Sequence, residues 1–354
     1  MPLDDTLRSL LAAQGPSGYE AAPSAAWRAA AERFAADVSA DVMGNLTARV
    51  AGTEAGGPTL AFVGHIDEIG LIVTHIDDKG RLFFIGVGGW DPQVLVGQRV
   101  DVTTRDGVVR GVVGRKAIHL FEEDERKKAV DLKDLCIDVG ARDGDEAKSM
   151  VRVGDVAVIA GDPVELPNDR VVSRAMDNRL GAYIALEAAR IVAEAGGAKW
   201  DVVAAVAVQE EVGLNGARAL AHGLRPDVAI VIDVTHETDT LGVDPKRINT
   251  HVFGSGPVIE RGTILNPNVS ELLIEVAEAE QIPYTLMASA RATGTDADVI
   301  HFSRNGIVTG GIGLPLRYMH SAVEMVQLDD VVNCAKLLAA FAQRLTADSD
   351  FSRG

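Results

Sequence analysis

The chain has 354 residues, with 51 acidic against 34 basic side chains and a formal net charge of −17 when histidines are neutral. Hydrophobic residues make up 47% and charged residues 24%, an ordinary globular composition that excludes a disordered or collagen-like chain. The acidic surplus argues against a nucleic-acid partner, because gripping that backbone needs clustered Lys and Arg. The first elements read as helices. Thr6 to Ala13 carries Leu7, Leu10 and Leu11 on one face and stops at Gly15-Pro16; Ala21 to Ala36 spaces Trp27, Ala31 and Phe34 helically. Short strands follow at Asn45 to Val50 and Pro58 to His65.

From about Val73 to Pro167 the texture changes to short Val- and Ile-rich runs broken by turn pairs. Asp106-Gly107, between Arg99 to Thr103 and Val108-Val109, signals a hairpin. The charged run Glu122 to Lys128 reads as an exposed loop or edge. Beyond Pro167, helices and apolar strands alternate. Helices are expected at Asn178 to Ala195, Ala217 to His222, Asn268 to Glu280 (begun near Asn268 or Ser270) and Leu328 to Leu345. Strands are expected at Val202 to Val208, Val228 to Ile232, Tyr284 to Ala290 and Ile307 to Ile312. Continuous apolar strands between helices indicate an α/β sheet covered on both faces. The expected organisation is one α/β domain, residues 1–72 and 166–354, interrupted by a small β-rich domain at 73–165.

No run of about 18 uncharged apolar residues occurs, so no membrane span is expected. The acidic start, Met1 to Asp5, is unlike a signal peptide, and two cysteines make no disulfide framework. A cytoplasmic location is the expectation.

In open α/β sheets, ligands bind at the carboxyl ends of strands. Here those ends read Gly64-His65-Ile66-Asp67-Glu68, Val208-Gln209-Glu210-Glu211, Ile232-Asp233, and the stretch through Tyr318-Met319-His320. Asp177 opens the helix that follows the insertion. Any one acid past a strand is commonly a turn residue, and Asp177 alone reads as a helix cap. Five such positions together point to a shared cation. Two carboxylates beyond a buried strand are costly to ionise side by side, and a cation resolves that cost.

Imidazole and carboxylate donors suit zinc and its neighbours. A metal pair about 3.5–4 Å apart needs a bridging carboxylate. His65 and Asp67 share one face of an extended strand, so Asp67 can orient the imidazole. Glu210 and Glu211 face one site only if the chain bends, which Gly213 allows. One would bind metal and the other would stay free as a base.

The pieces His65-Ile66-Asp67-Glu68-Ile69-Gly70, Asp177-Asn178-Arg179, Gln209-Glu210-Glu211-Val212-Gly213, Asp233 and Arg317-Tyr318-Met319-His320-Ser321 resemble, in this order, the tetrahedral or glutamyl aminopeptidases. These are dinuclear metallopeptidases, sometimes labelled endoglucanases. The resemblance spans nearly the whole chain. It implies a three-layer, mixed-sheet, zinc-peptidase-like catalytic domain interrupted by a PDZ-like dimerisation domain, with dimers assembled into a tetrahedral homododecamer. It implies two divalent ions per subunit, zinc with cobalt or manganese as alternatives, and peptide substrates. His65 and Asp233 would hold one metal, Glu211 and His320 the other, with Asp177 bridging. Glu210 would be the general base for a bridging water, and Asp67 would support His65. Gly294-Thr295-Asp296-Ala297 resembles a segment near the substrate pocket, but Asp298-Val299 stand where small residues are expected.

A dinuclear deacylase of N-acyl amino acids is the rival chemistry. Glycoside hydrolysis also needs two carboxylates but no histidines. A non-catalytic shell protein is a third alternative. Trp27, Trp90 and Trp200 read as packing residues, and Cys136 and Cys334 as buried thiols. His75, His222 and His251 lack ligand-like company; His119 is a contact or pocket-rim residue, and His236 is either beside the metals or structural. Arg261, Arg291 and Arg317 are the cations available to read an acidic substrate.

Overall fold

The computed structural model describes residues 2–54 and 56–353. Among these, eight strands form one mixed sheet. Its order is Asp37–Ala40, Leu46–Val50, Asp201–Ala207, Thr59–His65, Val228–His236, Val308–Leu316, Val258–Gly262 and Thr285–Ser289. The four central strands, Asp201–Ala207 through Val308–Leu316, run parallel. Strand alternation sorts their side chains to two faces. Leu60, Phe62, Val202, Val206, Ile230 and Ile232 enter one core with the helices Met176–Glu194 and Leu328–Arg344. Ala61, Val63, Val203, Ala205, Ala229 and Val231 enter a second core with Asn215–Leu224 and Ala297–Ile300. The architecture is therefore three layers with a buried sheet. No helix is long and apolar enough to cross a membrane among the described residues.

A closed barrel leaves this sheet after His65. Its strands are Gly70–Ile76, Arg81–Val87, Leu135–Asp138, Gly107–Arg115, Arg99–Thr104 and Val156–Ile159, in antiparallel pairs. It has its own core, including Leu82, Leu95, Val100, Val102 and Ile137.

Several expectations shift at their edges. The second helix is Ala21–Ala31, shorter than expected, and residues after it turn into an unforeseen strand, Asp37–Ala40. The run 122–128 holds a short exposed helix, Glu123–Arg126. Asn266, not Asn268 or Ser270, caps Pro267–Ala279, accepting from the Asn268 and Val269 amides at 2.9 and 3.3 Å. Trp27 and Trp200 are buried, but Trp90 is only partly buried and lies near the carboxylate cluster. Cys334 is buried and Cys136 only half-buried, and both are free thiols.

Candidate metal centre

Parallel register sets the site. Ala207 pairs with His65, and Asp233 lies one strand beyond, so three strand ends reach the same edge. The chain after Leu316 brings His320 there. Ligand atoms of His65, Asp177 and Asp233 lie within 4.8 Å of one another, as do those of Asp177, Glu211 and His320, and those of His65, Glu210 and Glu211. The structure thus brings together every strand-end residue singled out above.

Asp177 holds the middle. Its Oδ1 is 3.1 Å from His65 Nε2, and its Oδ2 is 3.4 Å from His320 Nε2. It does not cap its helix. Asp177 and Asn178 are non-helical, and the position before the helix is Ala175, in the left-handed region. Glu211 Oε1 lies 3.2 Å from His320 Nε2. Glu210 Oε2 is 3.8 Å from His65 Nε2, beyond hydrogen-bond reach.

Asp67 organises the loops around these groups. It is fully buried and lies 3.4 Å from His65 Nδ1. Ser17 donates its hydroxyl to Asp67 Oδ2 at 2.5 Å. The amides of Glu210 and Glu211 donate to its two oxygens at 3.0 and 3.2 Å. One carboxylate thereby fixes both the His65 imidazole and the bend that aims the glutamate pair. That bend begins earlier than Gly213. Gln209, just before the pair, has φ of 56°, and its amide donates to Glu20 at 3.1 Å.

Three other buried acids have roles that no local sequence pattern marks. Glu68 is buried between Arg174 and Arg179, and Arg179 also donates to the Ile66 carbonyl at 2.5 Å. Glu324 is buried and accepts from the amides of Asp177 and His320 at 3.1 and 2.8 Å, tying the segments of these two cluster residues together. Glu260 is buried and lines the cleft beside the cluster. Asp296, expected near the substrate pocket, is buried close enough to Glu210 to raise its pKa, and neither of its carboxylate oxygens has a hydrogen-bond partner among the described residues. Asp298 holds the same loop, accepting from the Thr293 amide, the Thr293 hydroxyl and the Gly294 amide.

The electrostatics are those of a site short of positive charge. Burial raises Glu210 to about 8, with Asp296, Glu211 and Asp177 adding to the rise and His65 opposing it. Burial also raises Asp233 well above the usual carboxylate range. Hydrogen bonds from Asp177 and Glu211 raise His320 to about 11. Burial alone would lower His65, but Glu210, Asp177 and Asp67 outweigh it and raise it well above normal. The donor set of imidazoles and carboxylates, with no thiolate, fits one or two hard or borderline dications. Such an ion would displace the protons these groups otherwise share.

A cleft of about 570 Å³ opens over the cluster. His236 is exposed on its wall, whereas His75, His119 and His251 lie outside it. His251 is hydrogen-bonded to Thr285 and to the Ile248 carbonyl. None of the three candidate arginines lines the cleft. Arg317 is spent on Glu237 at 2.8 Å, Arg261 pairs with Glu271 at the surface, and Arg291 is exposed outside it. A larger cleft of about 650 Å³, lined by Gln14, Arg99, Asp101 and Arg110, stands apart from the cluster.

The model of the family described as M42 glutamyl aminopeptidase matches residues 44–337. A lysyl aminopeptidase of Pyrococcus furiosus is 35% identical over 314 residues, covering 87% of this chain and 87% of that protein. An aminopeptidase structure from the archaeon Desulfurococcus kamchatkensis superposes with a TM-score of 0.90 at 36% identity, covering 97% of this chain and 95% of that one. A TET1 peptidase of Pyrococcus horikoshii, described as able to assemble into a tetrahedron or a large octahedral shell, superposes with a TM-score of 0.84 at 31% identity, covering 96% and 99%.

Proposed function

The chain belongs to the M42 glutamyl aminopeptidase family, and we propose that it removes N-terminal residues from peptides using two divalent cations and Glu210 as general base. The observation that carries this reading is the placement of Asp177, one carboxylate oxygen toward each of two imidazoles. His65 and Asp233 would hold one cation, Glu211 and His320 the other, and Asp177 both. Zinc is the first choice, with cobalt or manganese compatible with the same donors.

When bound, such a pair supplies Lewis acidity, polarising the scissile carbonyl and making water nucleophilic near neutral pH. Among the described residues the Glu210 carboxylate accepts no hydrogen bond and stands 3.8 Å from His65. It takes the proton of the attacking water and delivers it to the leaving amine. Asp67 holds His65 and the backbone of Glu210 in register. The remaining carboxylates favour the substrate's free ammonium, which explains attack at a chain end.

The deciding experiment compares leucine anilide with its N-acetyl form, with and without a chelator. We expect cleavage of the free amine alone, lost with the chelator and restored by added zinc, cobalt or manganese. Preference for the blocked amide would favour a deacylase and overturn this reading.

For assembly, we propose that residues 73–165 form the subunit-contact module on the body made by 1–72 and 166–354, with dimers building a dodecamer. The support is that this segment carries several exposed apolar side chains, including Ile85, Val108, Ile118 and Leu120. Native mass spectrometry showing a monomer would refute it.

A further inference from the structure

Family membership leaves the preferred N-terminal residue open. Its description names glutamyl activity, yet no Lys or Arg lines the cleft among the described residues. What lies there is Glu260.

Glu260 sits on Val258–Gly262, and Ile259 beside it enters the main helical core. Alternation therefore sends Glu260 to the opposite face, toward the cleft. The neighbouring strand makes room. A Cβ at Gly311 would come within 3.1 Å of Glu260 Oε2, so a larger residue there would press on the carboxylate. Glu260 is only 4% exposed, yet its carboxylate makes no hydrogen bond and no ion pair among the described residues. Its backbone carbonyl accepts the Ser270 hydroxyl. Burial raises its pKa to about 7, with a smaller contribution from Asp298 and none from the cluster acids. A buried carboxylate without a cation is costly and commonly marks a site for one.

Position decides which cation. One strand, Val308–Leu316, separates the strand of Glu260 from that of Asp233. Two inter-strand steps of about 4.8 Å, with a two-residue offset along the strands because Gly313 pairs with both Asp233 and Val258, place the two backbones about 12 Å apart. That is too far for Glu260 to join the metal cluster, and suits a side chain reaching away from it. Met287, paired in register with Glu260 on the edge strand beyond it, lines the same cleft with Ile248 and Ala292 and gives it apolar wall. Apolar walls ending in a carboxylate match an aliphatic stem ending in an ammonium or guanidinium.

We infer that Glu260 is the base of the side-chain pocket and selects peptides with lysine or arginine at the N-terminus. The inference rests on the aminopeptidase reading above, which makes the cluster the point of cleavage.

The test uses the cation-loaded protein with lysyl and norleucyl anilides, which differ only at the terminal ammonium. Binding of free lysine and norleucine is measured in parallel by calorimetry. Lysine should be preferred in both assays. Glu260→Gln should lower the lysine-to-norleucine ratio by about 30-fold or more, the scale of truncating one partner of a buried charge pair. Glu260→Asp, which keeps the charge, should retain the preference. Equal or better handling of norleucine by the wild type would overturn the inference, as would loss of preference in both variants alike. Equal losses for both ligands in Glu260→Gln would overturn it too, assigning Glu260 to the α-amino group or to folding. If lysine binding is selective and depends on Glu260 but no anilide is cleaved, the pocket stands and the aminopeptidase reading falls.

Discussion

Glu210→Gln is expected to lower kcat by a factor on the order of 10²–10⁴ while cation content stays at the wild-type level. The substitution keeps the side chain's shape and leaves its amide on Asp67, since that bond uses the backbone. What it removes is a proton acceptor, one that makes no hydrogen bond of its own and stands 3.8 Å from His65. Steady-state kinetics with elemental analysis of the purified variant separates the two effects. Wild-type turnover would refute the base assignment.

The same variant carries a pH signature in cation-free protein. Burial, then neighbouring negative charge, raises Glu210 from 4.5 to about 8. A carboxyl raised on folding contributes stability that is full below its unfolded pKa and lost as pH rises through its folded pKa. Glutamine does not titrate. Glu210→Gln without cations should therefore melt increasingly above the wild type from about pH 4.5 to about pH 8. Adding a dication should narrow the gap, because the ion supplies the missing positive charge. Thermal melts across this range, with and without chelator, measure it.

Much of this site was legible because buried parallel strands announce themselves. The run Val202 to Val208 has no polar residue, so two glutamates directly after it demand an explanation. His65, Asp67 and Asp233 stand at corresponding strand ends, and parallel pairing makes those ends neighbours. The residues that hold these groups were less visible. Gly213 advertises a bend near Glu210, because glycine takes a positive φ freely. The bend starts at Gln209, whose left-handed conformation is supported by the Glu20 contact, far away in sequence. Glu324 ties Asp177 to His320 through backbone amides, a role no local pattern encodes. Asp298, a departure from the expected small residues, has a local structural task in holding Thr293 and Gly294. Glu260 precedes Arg261, and two charges in a row conceal a strand position whose face is buried.

Asp67→Ala is expected to be costly for both folding and activity. Asp67 accepts the Ser17 hydroxyl and the amides of Glu210 and Glu211, and it is fully buried. Removing it leaves these donors without acceptors, and each buried orphan costs roughly 1–3 kcal/mol. The Glu210 and Glu211 segment then loses the anchor that aims both side chains at one site. His65 would keep a contact to the residue 67 carbonyl, 3.2 Å from Nδ1 in the wild type, but would lose the nearby carboxylate. Loss of such outer support lowers cation affinity by about 10–100-fold. Asp67→Asn should fall between, because one carboxamide oxygen can still accept while the other position turns from acceptor to donor. Urea denaturation and cation titration of both variants check the ordering. Alanine and asparagine variants as stable and as tightly cation-binding as the wild type would show that the two glutamates are aimed by the strand geometry itself, without Asp67.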